Sequence, residues 1–275
     1  MLTGVPSIVL DEVTMSDGQA ATQTRVFAAP TDDELAVCVA GAVAKLEGSD
    51  PVATLRWAVE RFAPRLAVAC SFGPEDLVLV DLIARHQLPI DIFTLDTGVF
   101  FPETLALWRE VEARYGVRVR AVRAAQSIDE QAAAHGPELW RRAPDRCCQL
   151  RKVAPLASAL EGLAAWITGI RRQQTPDRAA AGVVERDRRP GLVKVNPLVH
   201  WSHDDIWAHL YLHDVPTNPL HQQGYPSIGC APCTSPIALG EDPRNGRWRG
   251  LAKTECGLHV DAAIPAIPAT GEDGP

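Results

Sequence analysis

The 275-residue chain carries 27 Lys and Arg against 34 Asp and Glu, a net charge of −7, with 46% hydrophobic residues. Such a length supports a full core in one large or two small domains, and the negative balance excludes a general phosphate-backbone binder while leaving room for local cation clusters that hold a small anion. No run of about eighteen apolar residues occurs, and Met1 to Leu10 lacks a basic segment followed by an apolar one. The expectation is therefore a cytoplasmic protein with no nucleic-acid or membrane partner.

Three regions are expected: a variable leader with a helix over 1–50, a nucleotide-binding α/β domain over 51–250, and a flexible tail over 251–275. Residues 1–30 show no clean periodicity. Thr31-Asp32-Asp33-Glu34 is a capping box opening a helix with Leu35, Val39 and Leu46 on one face, and Ser49-Asp50-Pro51 opens a second with Leu55, Val59 and Phe62. Cys38, between Val37 and Val39, reads as packing.

From Leu66 short apolar runs alternate with amphipathic segments. Leu66 to Cys70, Ile90 to Leu95, Val117 to Val122 and Trp166 to Ile170 read as strands, with helices between them. Such alternation predicts an α/β fold in which helices flank a parallel sheet and ligands sit at the carboxyl ends of the strands. The turns Ser71 to Asp76, Asp96-Thr97-Gly98 and Gly169 to Arg172 should then line one crevice. Ser71 to Asp76 is similar to a phosphate-binding turn, but Phe72 and Pro74 stand where a pyrophosphate cradle needs glycine. Cys70, at a strand end, reads as buried packing. Further on, Arg186 to Gly191 reads as a solvated loop, Leu192 to Val195 as an edge strand, and Ser202 as the cap of a last helix containing Ile206, Trp207 and Leu210. Val215 to Gly250 is dense in Pro, Gly and Asn, and two cysteines in that irregular stretch point to function.

Seven cysteines, an odd number, with an adjacent pair and a C-x-x-C, fit metal or redox chemistry in a reducing compartment better than a disulfide framework. Cys147-Cys148 precedes what looks like a first helical turn, and Cys230-Ala231-Pro232-Cys233 lies in the irregular region. Four thiolates, two from each element, can close a tetrahedral metal site or hold a cubane iron-sulfur cluster. A strictly adjacent pair is awkward for zinc; two unrelated buried pairs or a vicinal disulfide are the bland alternatives. Arg146, Arg151 and Lys152 flank one pair and Arg244, Arg247 and Arg249 the other, with Arg171-Arg172 as a third cluster. Cations at strand ends and thiol sites suit an anionic ligand, for which Arg171, Arg172, Arg244 and Arg247 are the candidates. The histidines from His86 to His221 lack metal-ligand spacing and read as structural or surface.

Near the end, Lys253-Thr254-Glu255-Cys256-Gly257-Leu258-His259 places a thiol beside a lysine, a histidine and a glycine hinge, a setting that favours the thiolate. Alone, the heptapeptide is equally an exposed thiol on a frayed terminus or a nucleophile.

Together these residues resemble the assimilatory adenylyl-sulfate (APS) reductases, in the iron-sulfur branch of the APS/PAPS reductase family. The resemblance covers roughly residues 55–260. It rests on Ser71-Phe72-Gly73, Leu95-Asp96-Thr97-Gly98, Cys147-Cys148 with Arg151-Lys152, Gly169-Ile170-Arg171-Arg172, Asn196-Pro197-Leu198, Gly229 to Thr234, Gly246-Arg247-Trp248 and Glu255 to His259. It implies an adenine nucleotide alpha-hydrolase-like fold with a mobile C-terminal tail, a [4Fe-4S] cluster on Cys147, Cys148, Cys230 and Cys233, and thioredoxin-dependent reduction of adenosine 5'-phosphosulfate to sulfite and AMP through an S-sulfocysteine on Cys256. Lys152, Arg171, Arg244 and Arg247 are implied to hold the phosphosulfate, Ser71, Gly73, Asp96, Thr97 and Gly98 to shape the nucleotide crevice, and His259 to assist the closed tail. A homo-oligomer is compatible with all of this. The alternatives are a phosphoadenylyl-sulfate reductase, an adenylating ATP pyrophosphatase of the same fold with structural zinc, and a non-catalytic redox or iron sensor.

Overall fold

The computed structural model describes residues 31–251 together with Lys253, Gly257 and Leu258. Two helices lead into the sheet. In α1 (Asp32–Leu46) the Thr31 side chain caps the Glu34 amide while the Glu34 carboxylate returns to the Thr31 N–H at 2.8 Å, which satisfies two of the open donors of the first turn. The Asp50 carboxylate accepts from the Val52 N–H at 2.7 Å and Pro51 occupies the first position of α2 (Pro51–Phe62), where a missing amide proton costs nothing.

The core alternates β1 (Leu66–Ala69), α3 (Pro74–Arg85), β2 (Asp91–Asp96), α4 (Pro102–Tyr115), β3 (Val119–Arg123), the helical pieces α5 (Ile128–His135), α6 (Leu139–Arg142), α7 (Pro144–Cys148) and α8 (Ala154–Ala159), then β4 (Ala165–Ile167). A π-helical turn, Gln149–Val153, joins α7 to α8. After β4 come β5 (Val184–Arg186), β6 (Val193–Val195) and α9 (His203–Leu212), whose Ser202 forms a capping box with Asp205.

The six strands lie in the order β3-β2-β1-β4-β6-β5, all parallel except β5. This corrects one expectation: Val193–Val195 is an interior strand, fully buried, and the antiparallel edge is Val184–Arg186, pairing Val184 with Val195. Three residues with a central glutamate carry too little alternation to be read as a strand from sequence, and β6 supplies the ladder that makes them one.

Residues of the two-residue repeat sort onto the two faces. Leu66 and Val68 of β1, Ile92 of β2 and Ile167 of β4 join the larger core with α1 to α4 and α9. Ala67, Phe93 and Trp166 face the other way, onto Leu156 and Ala159 of α8 and Leu160 at its C-terminus. Both faces are covered, so the strands read as continuous apolar runs rather than alternating ones. Cys38 packs against the larger core as expected. The order in which strands are added reverses at β1, with β2 and β3 on one side and β4 on the other, and the crevice outside the carboxyl ends of β1 and β4 is where a doubly wound sheet binds its ligand.

Candidate functional site

Above that switch point lies a cavity of 550 Å³, lined by Ser71 and Gly73 to Asp76 from the β1 turn, Thr97 from the β2 turn, Gly169 to Arg171 from the β4 turn, and Lys152, Cys230, Arg244, Arg247 and Trp248. The crevice expected from the strand-end turns is therefore present, and the sheet brings one of its walls from each turn.

The β1 turn is built around Asp76. Its Oδ2 accepts from the Ser71 N–H and the Ser71 hydroxyl, both at 2.6 Å, which folds the turn back onto the first turn of α3. Desolvation pushes the Asp76 carboxyl up to about 6, against the Ser71 hydrogen bonds that lower it. Phe72 stands in the left-handed region at φ 61°, held there by burial and by its ring lying 5.5 Å from that of Trp108. Cys70 is buried at the crevice floor, and burial raises its thiol well above the ordinary value.

The β2 turn is held from the opposite side of the site. The buried Arg151 donates from Nε to the Thr97 carbonyl at 2.5 Å and from Nη1 to Gln131 Oε1 at 3.0 Å. Gly98, at φ 71°, would bring a Cβ to 3.2 Å from Arg151 Nη2, so the turn requires glycine both for its backbone and for this approach. Asp96 accepts from the Gly98 amide at 3.0 Å and pairs with Arg123 at 2.9 Å. Of the expected trio Asp96, Thr97 and Gly98, Thr97 lines the cavity itself and the other two shape its turn.

In the β4 turn a Cβ on Gly169 would meet Asp76 Oδ1 at 2.6 Å, so the two turns touch backbone to side chain. Arg171 is 6% exposed at its side chain and donates from Nε and Nη2 to Glu75 Oε1 at 2.9 and 2.8 Å. This candidate anion ligand therefore lines the cavity with a carboxylate already on it.

The cationic end lies across the cavity. Arg247 rests 4.7 Å over the Trp248 ring and donates from Nη1 to Ser227 Oγ at 3.3 Å, while its buried Nε has no hydrogen-bond partner among the described residues. Lys152 and Arg244 line the same space. Here the thiols gather. The π-helical turn begins directly after Cys148 and presents Arg151 and Lys152, a distortion of the kind found at functional sites. Cys147 and Cys233 are raised by burial and then by Cys230, Cys233 up to about 11. Cys230 goes the other way: although burial would raise it, Lys152, the Thr97 hydroxyl at 3.5 Å and Arg247 hold it below the ordinary thiol value.

None of the described cysteines is in a disulfide. The donor chemistry suits a thiolate-ligated group, since thiols from two elements converge among cations. Among the described residues no three Cys, His, Asp or Glu side chains surround a single point.

Cys256 and His259 lie outside the described residues, as does most of the expected tail. Four tail positions are described, Leu251, Lys253, Gly257 and Leu258, and the last three make contacts that bear on the site. Leu258 packs against the face carrying Phe93, Leu156 and Trp166 and lines the cavity, the Gly257 carbonyl accepts from Arg188 Nη2 at 3.1 Å, and the Lys253 ammonium meets Asp145 and lies 5.2 Å over the Trp248 ring.

With this geometry in place, the comparisons decide the family. Residues 65–236, more than half of the chain, match the phosphoadenosine phosphosulfate reductase domain. The chain belongs to that family. It is 48% identical over 209 residues to adenosine 5'-phosphosulfate reductase 1 of Bacillus subtilis, covering 76% of this chain and 90% of that protein. It is also 49% identical over 213 residues to a protein of Gloeobacter violaceus named phosphoadenosine 5'-phosphosulfate reductase, covering 76% and 88%. A crystal structure of the phosphoadenylyl-sulfate reductase of Candida auris, a phosphate complex, superposes with a TM-score of 0.66 at 32% identity, covering 76% of this chain and 98% of that one. A likeness to Candida glabrata FMN adenylyltransferase, at 14% identity and a TM-score of 0.51, concerns the fold alone. The α/β nucleotide-binding fold read from the sequence and the reductase family thus agree.

Several cavity residues escape a reading of local sequence: Glu75 and Asp76 as partners of the turns, Gln174, Arg178, His203, Trp207 and Trp248. His203 sits in the first turn of α9, and the Ser202 cap is the signal that could have placed it there. The basic run after β5 is also more than a solvated loop. Arg189 pairs with Asp187 at 2.8 Å, Asp187 accepts from the Trp166 indole at 2.8 Å, and Arg188 reaches the tail.

Proposed function

We propose that this protein is an adenylyl-sulfate reductase of assimilatory sulfate reduction, converting adenosine 5'-phosphosulfate to sulfite and AMP with thioredoxin as reductant. The observation that carries the reading is the convergence of Lys152, Arg244 and Arg247 on one end of a strand-end crevice into which the described tail residue Leu258 also packs. The names of the Bacillus subtilis relative and others support APS as substrate, the Gloeobacter name the phosphorylated alternative.

In this reading the nucleotide lies across Ser71, Gly73 and Thr97, with Asp96 and Gly98 holding the β2 turn and Arg171 closing the far wall. Lys152, Arg244 and Arg247 take the phosphosulfate charge, cations already fixed where charge develops. The Cys256 thiolate attacks the sulfur with its electron pair, the bond from sulfur to the phosphate oxygen breaks, and AMP departs with that pair. His259 assists the docked tail. A thioredoxin thiolate then attacks Sγ of Cys256, expelling sulfite with the bonding pair, and the second thioredoxin thiol resolves the mixed disulfide. Sulfur gains two electrons and the dithiol loses two.

Cys147, Cys148, Cys230 and Cys233 would hold a [4Fe-4S] cluster, which when bound replaces mutually repelling thiolates with one ligated unit beside the cationic end. The described cysteines form no disulfide, which suits a reducing, cytoplasmic setting.

The test is intact mass of the protein after mixing with adenosine 5'-phosphosulfate without thioredoxin. One sulfonate on Cys256, lost in Cys256→Ser while the iron-sulfur absorbance stays, is the expected result. No adduct on the wild type, or zinc without iron and sulfide on metal analysis, contradicts it.

A further inference from the structure

Two contacts fasten the described tail residues, and neither is made by the cavity's cations. Lys253 is 8% exposed at its side chain, lies over Trp248 and pairs with Asp145 of α7. Gly257, at φ 78°, turns its carbonyl to Arg188 of the β5–β6 loop at 3.1 Å, and a Cβ there would stand 3.8 Å from Val153 of the π-helical turn. Leu258 then enters the apolar face with Phe93 and Leu156. The two fastening groups lie on unrelated elements, and in sequence their targets bracket Cys256.

We propose that Arg188 and Asp145 are positioning residues that clasp the C-terminal segment on both sides of Cys256 in the sequence, Asp145 through Lys253 and Arg188 through the Gly257 carbonyl. This rests on Cys256 being the nucleophile. Neither residue touches substrate in this arrangement; each restricts where the thiolate-bearing segment lies, and restricting a reactant in that way lowers the barrier to attack. A carbonyl bonded to a guanidinium is a strong, charge-assisted contact. It needs no particular side chain at position 257, and the left-handed turn there needs glycine.

The clasp predicts a split between binding and chemistry. In single-turnover mixing with adenosine 5'-phosphosulfate, Arg188→Ala should form the Cys256 sulfonate about tenfold more slowly, the loss expected for one charge-assisted hydrogen bond. Asp145→Asn, which removes an ion pair whose carboxylate is 87% exposed, should slow that step only about twofold to fivefold. Arg188→Lys should recover part of the rate, and AMP affinity by calorimetry should stay within about twofold in all three. Tryptic cleavage after Lys253, followed as the peptide beginning at Thr254, should accelerate in Arg188→Ala and Asp145→Asn. Wild-type rates of both sulfonation and cleavage in these variants overturn the clasp. If the wild type forms no sulfonate, the functional reading falls, and unchanged cleavage in the variants overturns the clasp independently.

Discussion

Arg171 and Glu75 form an ion pair across the mouth of the sheet's switch point, the guanidinium Nε and Nη2 both reaching Glu75 Oε1 at 2.9 and 2.8 Å. The pair ties the turn after β4 to the first turn of α3, beside the close approach of Gly169 to Asp76 that joins the same two walls. With side chains 6% and 18% exposed, the pair is largely shielded from water. Removing one partner strands the other: Glu75→Ala should lower stability by about 2–3 kcal/mol, somewhat under the range for a fully buried pair. Urea unfolding of Glu75→Ala and of Arg171→Ala measures this, and the double variant should lose less than the sum of the two.

Gly169→Ala should be more damaging than a methyl group on a surface turn. The added Cβ would stand 2.6 Å from Asp76 Oδ1 and 2.9 Å from Glu75 Cβ, and the second of these is not the free end of a flexible chain. Overpacking of this kind costs about 1–3 kcal/mol. Thermal melting should show the loss, and on the proposed placement of the nucleotide across Ser71 and Gly73 AMP affinity should fall with it.

Asp76 gives stability a pH dependence of defined sign. Its folded pKa of about 6 lies above the ordinary carboxylate value of 3.8, so between those values the native state binds more protons than the unfolded chain. Stability contributed by this group therefore declines as pH rises from about 4 to about 6 and levels off above, by up to about 3 kcal/mol. Denaturant titrations of the wild type and Asp76→Asn across that window should give a difference that changes with pH in this direction. A difference independent of pH would contradict the assignment.

Behind the crevice, Asp81 of α3 joins three elements. It is 2% exposed and accepts from His209 of α9 at 2.8 Å and from Tyr115 of α4 at 3.1 Å, with Arg85 at 3.5 Å. Although burial raises it, these hydrogen bonds outweigh burial and hold the Asp81 carboxyl below its ordinary value. Asp81→Ala should cost about 2–3 kcal/mol by leaving the half-buried His209 and Tyr115 polar groups without their acceptor. The midpoint of guanidinium unfolding should show this.

The local features of this protein were legible in its sequence because their causes lie within a few residues. Thr31 with Glu34, Asp50 with Pro51 and Ser202 with Asp205 announce three helices, the apolar runs from Leu66 onward announce a sheet covered on both faces, and the paired cysteines with the cation-rich motifs point to the reductase family. Tertiary structure alone decided what those residues do to one another. It made Val193–Val195 an interior strand, because a three-residue run too weak to signal itself pairs outside it. It placed Glu75 on Arg171, 96 residues away, and Arg188 on the Gly257 carbonyl, 69 residues away. A charged side chain carries no mark in its own neighbourhood of which distant partner it will meet; that depends on strand order and on how the turns stack at the carboxyl ends of the sheet, where long-range packing overrides local pattern.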